Sequence, residues 1–119
     1  MSKRDPNLLL EDISAAIEKI ERYIAGMAKD SFMADEKTID AIVRNLEIIG
    51  EAARQMPEAF KEINKVVPWD QITGLRNRIV HDYFGLDLEI IWFIITSDLP
   101  DLKKNIKKSN RRNAQARRT

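Results

Sequence analysis

Every apolar period in this chain is helical. Leu9, Ile13, Ile17, Ile20 and Ile24 recur at steps of four, four, three and four, which lines one helix face at ~3.6 residues per turn. Asp5 and Pro6 open that helix, an acid that caps and a proline whose missing N–H costs nothing in the first turn. Gly26 lies near its end, and residues 31–35 read as a short turn or a one-turn helix. A second long helix starts at Asp35 or Glu36, carries the stripe Ile39, Val43, Leu46, Ile49 and Ala53, and closes at Pro57. Gly50 inside it costs about 1 kcal/mol against Ala. Its presence predicts the close approach of another helix backbone. A short helix over 58–65 follows, and Pro68-Trp69-Asp70 starts the next, which should run to about Asp82. Gly85 then offers a left-handed stop, and Asp87 should cap a last helix bearing Leu88, Ile91, Ile95, Leu99, Leu102 and Ile106. Pro100 should kink or split that helix. No segment alternates like a strand over a useful length. The fold class is therefore all-α, a four- to five-helix up-down bundle.

A chain of 119 residues, 44% apolar and 33% charged, has the size and composition of one globular domain. It has no Cys, which excludes a disulfide framework and a thiolate zinc site. It has a single His, so chemistry that needs two imidazoles must borrow one from a second copy. A bundle this small has a limited core. The apolar surplus around Ile91, Trp92, Phe93 and Ile95 suggests a face shared with a partner; the alternative is that Trp92 simply fills the internal core. The net charge of +1 hides an asymmetry: residues 102–119 carry eight cations and no acid, whereas residues 1–101 hold twelve basic and nineteen acidic residues. That is the pattern of a chain that meets an acidic partner through one end, or of a solvated tail. Residues 1–107 read as the folded domain and 108–119 as a basic, frayed or disordered tail. No signal peptide is visible, and no apolar run approaches the ~20 residues that span a bilayer. These features point to a cytoplasmic chain without membrane contact.

The informative segment is PWDQITGLRNRIVHDY, residues 68–83. On a helix Asn77 and His81 share a face, as do Arg76 and Tyr83. Arg76 and His81 lie ~140° apart, so a phosphate held by both must sit at the helix end or across a dyad. Histidine exchanges protons near neutral pH, and arginine is a permanent forked donor for phosphoryl oxygens. Together they suit cleavage of RNA through its own 2′-hydroxyl, with no metal and no cofactor. The same residue types could also simply hydrogen-bond helix ends.

Arg76-x4-His81-x-Tyr83 resembles the R-x4-H-x-Y motif of the HepT branch of the HEPN superfamily. The words RNLEIIGEAA at 44–53, PWDQITGLRNRIVHDYFGLD at 68–87 and IWFIITSDLPDL at 91–102 extend the resemblance over about residues 5–107. It implies an all-helical, homodimeric toxin of a type II toxin–antitoxin pair that acts as a metal-independent endoribonuclease. It implies that two motifs meet in one cleft, where Arg76 binds and stabilises phosphate, His81 is the acid–base residue and Asn77 orients the site. It further implies a cognate MntA-type nucleotidyltransferase that adds AMP to Tyr83. The added anion beside the cleft would repel RNA phosphate. Other readings use the same residues. One is a non-catalytic helical adaptor that presents substrate to a nucleotidyltransferase. Another is a metal nuclease built on Asp82, Asp87 and Glu89, although Asp87 reads better as a cap and Glu89 as a first-turn acid. A DNA-binding reading would rest on the tail alone.

Overall fold

The computed structural model describes residues 5–79 and 86–118, with side chains as far as Lys108. Helix α1 spans Pro6–Ile24. It begins where the Asp5 carboxylate accepts the Asn7 N–H at 2.8 Å, with Pro6 in the first turn. Its apolar face, Leu9 to Ile20, is buried. Gly26 adopts φ 78°, a conformation open to glycine at no steric cost, and turns the chain away. The short α2, Lys29–Met33, inserts Phe32 fully into the core. Helix α3, Glu36–Gln55, is capped by Asp35, whose carboxylate accepts the Thr38 N–H at 3.1 Å. Among the described residues the pairing of α1 with α3 is the most extensive, with α2, the two short helices that follow residue 68 and the C-terminal helix packed against it.

Helix α4 spans Glu58–Ile63. The buried Asn64 follows it, donating its side-chain amide to the Phe60 carbonyl at 2.9 Å and accepting the Trp69 indole N–H on its own carbonyl at 3.1 Å. The first contact closes α4, and the second fixes the start of α5, Trp69–Thr73. The single helix expected from Pro68 to about Asp82 is broken at Gly74, and α6 comprises Leu75–Ile79. The Gly74 N–H still reaches the Asp70 carbonyl at 3.1 Å, so the break is a local change of direction rather than a loop.

Helix α7, Leu88–Phe93, runs through a π turn at Ile94–Asp98 into α8, Leu99–Arg118. The disturbance expected at Pro100 therefore appears one turn earlier. A proline clashes with the carbonyl four residues back, here Thr96, and widening that turn moves the carbonyl aside. The apolar surplus assigned to a partner face is largely spent inside the protomer: Ile91 and Ile95 are 0% and 3% exposed. Trp92 packs on Phe32 with ring centroids 5.2 Å apart, and only Phe93 remains open, at 56%. The backbone of residues 108–118 continues α8 to Arg118. Lys, Arg, Ala and Gln all favour helix, and cations near a helix C-terminus are favoured by its dipole. No strand occurs among the described residues, and none of their helices is long and apolar enough to cross a membrane.

Candidate functional site

Helix α6 is anchored by Leu75 and Ile79, which are 4% and 1% exposed, and between them it presents Arg76, Asn77 and Arg78 to solvent. His81, Asp82 and Tyr83 lie outside the described residues. The two ends of the segment that carries them are pinned together: the Asp87 N–H donates to the Ile79 carbonyl at 3.0 Å. Asp87 also caps α7 by accepting the Ile90 N–H at 3.1 Å. Arg78 reaches across to Asp98 at 3.2 Å, which ties α6 to the π turn.

The position of Arg76 is set by α3. A Cβ built on Gly50 would lie 3.3 Å from the Ile72 carbonyl oxygen of α5. The absent side chain thus allows the backbone approach that the sequence anticipated, and α6 follows directly from α5. Arg76 lines a groove of about 590 Å³ with α3 residues that include Arg44, Glu47, Glu51 and Arg54. Arg54 donates to Glu51 from Nε at 3.0 Å, and the Gln55 amide donates to the same carboxylate at 3.1 Å. These bonds, Arg54 first, lower the Glu51 pKa to about 2, so that carboxylate stays ionised and occupied. Neither Arg44 nor Arg76 forms a salt bridge among the described residues. Both are exposed. The groove therefore offers free guanidinium donors beside the motif helix, of the kind that bind phosphoryl oxygens.

The α3 wall of this groove was missed as a functional feature by sequence reasoning. The signal was present in RNLEIIGEAARQ, where residues 44, 47, 51, 54 and 55 follow helical spacing onto one face. The metal-site residues fare differently. Glu89 pairs with Lys29 at 3.4 Å, and one Asp87 oxygen is engaged in the cap. No group of three potential ligands forms among the described residues.

An all-α chain with an exposed arginine beside a groove on a motif helix defines a class, and comparison with known proteins places it. The family described as ribonuclease HepT-like matches residues 13–109, and the chain belongs to that family. It is 39% identical over 106 residues to a protein of Thermococcus cleftensis named "Probable ribonuclease HepT", covering 89% of this chain and 96% of that one. A protein of Caldanaerobacter subterraneus subsp. tengcongensis, provisionally named an RNase, is 38% identical over 87% of this chain and 93% of its own length. Another of that description, from Methanocaldococcus jannaschii, is 36% identical over 90% of this chain and 98% of its own. No solved structure matches significantly.

Proposed function

We propose that this chain is a metal-independent endoribonuclease and the toxin of a type II toxin–antitoxin pair. The carrying observation is a HepT-like chain with Arg76, His81 and Tyr83 at R-x4-H-x-Y spacing, whose Arg76 is exposed beside a groove. In this reading His81 takes the proton from the RNA 2′-hydroxyl, whose oxygen attacks the adjacent phosphorus. The O5′ group leaves and receives a proton from an imidazolium, giving a 2′,3′-cyclic phosphate and a 5′-hydroxyl. Arg76 neutralises the charge that grows on the phosphoryl oxygens, which is where such a donor acts most strongly. Asn77, exposed on the same short helix, orients the site. One His per chain makes a homodimer the natural unit for a reaction that uses both a base and an acid. Tyr83 is the acceptor of AMP from a cognate MntA-type nucleotidyltransferase in the cytoplasm. Its phenol needs that partner to react.

The test is incubation of the purified chain with tRNA and mRNA in EDTA, beside Arg76→Ala and His81→Ala. Cleavage by the unmodified chain to cyclic-phosphate ends, with each variant slower by about 10² or more, is expected. Intact RNA throughout would overturn the nuclease reading in favour of the adaptor. Cleavage lost in EDTA and restored by Mg²⁺ would overturn the metal-independent step. With the partner and ATP, Tyr83→Phe should keep cleaving and escape silencing; AMP found on another residue would overturn that part.

A further inference from the structure

We infer that the end of α8 is an arm that captures the RNA backbone, an inference that rests on the nuclease reading above. The body of the chain is poorly suited to attract a polyanion. Residues 1–101 carry a net −7, and in the groove Arg44, Arg54 and Arg76 are balanced by Asp12, Glu47 and Glu51. Phosphate contacts by Lys and Arg dominate nucleic-acid affinity, so an enzyme with this body needs cations elsewhere. Residues 102–119 supply eight of them and no acid.

The structure turns this composition into a surface. Residues of α8 are helical to Arg118, so the cations are arrayed on a helix rather than along a coil. At ~100° per residue, positions 104, 107, 108, 111 and 118 fall within one sector of about 100°. Leu102 and Ile106 stand on the opposite side of the helix and are 5% and 2% exposed, which fixes that side against the core. Lys104, Lys107 and Lys108 are correspondingly exposed. Lys103 is not part of this sector; it is held by Glu21 of α1 at 2.8 Å, which ties the root of the arm to the bundle. A cationic helix face anchored at its base meets a phosphate backbone as a linear array, independent of base sequence.

The experiment measures binding of a labelled 20-nucleotide RNA by the full chain carrying His81→Ala, across a salt series. It is repeated with Lys104→Gln, Lys107→Gln, Lys108→Gln and Arg111→Gln added; glutamine keeps helix propensity. The dissociation constant should rise at least about tenfold near 0.1 M salt, and the slope of log K against log salt should fall by about 2–3, at ~0.7 per phosphate contact on a single strand. An unchanged constant and slope would overturn the inference. So would an unchanged RNA slope with a changed mass by light scattering, which would make the acidic body of a second copy the arm's partner. Cleavage by the unmodified chain is assayed separately, so failure of the nuclease reading and failure of the arm are distinguishable.

Discussion

Gly50 shows how one residue sets the geometry beside the site. Its helix position is unfavourable by about 1 kcal/mol relative to Ala, and the gain is the 3.3 Å approach of the Ile72 carbonyl to the space a Cβ would fill. Gly50→Val should therefore destabilise the fold by about 1–3 kcal/mol through overpacking. Gly50→Ala should cost less, because its helix propensity works against the crowding. Urea unfolding of both variants checks this; equal stability of the valine variant and the parent would remove the close-approach argument. The glycine was legible because a helix breaker inside a clean stripe has few explanations. Arg76 and Asn77 were singled out by motif spacing, and both stand exposed on α6. Arg44 and Arg54 were not singled out, because an arginine on an exposed helix face reads as ordinary solvation until α5 and α6 close a groove against it.

The elements were legible to the extent that local chemistry decides them. Asp5, Asp35 and Asp87 were read as capping or helix-starting acids, and each accepts a first-turn N–H. Asp87 carries most at the site, since it starts α7 and closes the 79–87 segment through its own N–H. Asp87→Ala should cost about 0.5–2 kcal/mol of stability, read by thermal unfolding. The bond from the residue 87 N–H to the Ile79 carbonyl is a backbone bond and survives this change, so RNA cleavage should be largely kept; lost cleavage would show that the side-chain cap also holds the segment bearing His81. Asp35 and Glu51 give a pH signature. The Thr38 backbone N–H lowers the Asp35 pKa, and Arg54 lowers that of Glu51 to about 2. A carboxylate depressed on folding contributes stability above its unfolded pKa, about 4 for these groups, and loses it as pH falls through the folded value. Stability should thus decline from about pH 4 downward, and Asp35→Ala should flatten that decline in acid titrations followed by circular dichroism. The break at Gly74 and the π turn before Pro100 were less legible. Glycine and proline announce a disturbance, but whether the helix bends, splits or widens depends on what the neighbouring turns pack against.

For the whole molecule, the all-α class followed from periodicity, while the allocation of apolar surface did not. Ile91 and Ile95 looked like surplus because the sequence cannot say how completely a small core closes, and both lie in the protomer's own buried core. What remains open beside the motif helix is Phe93, at 56% exposure, on a groove of about 610 Å³ that Arg78 also lines. A second copy seated there would cover the ring and bring two motif helices toward each other, as a reaction shared between two His81 side chains requires. Light scattering at micromolar concentration should then report a mass near twice 13.8 kDa. Phe93→Asp places a charge where an apolar contact is needed, so it should shift the chain to monomer and reduce RNA cleavage together. The fold itself should persist, because Phe93 is not part of the buried core. A Phe93→Asp chain that remains dimeric would move the interface to another face. One that is monomeric yet fully active would show that a single His81 suffices for the chemistry.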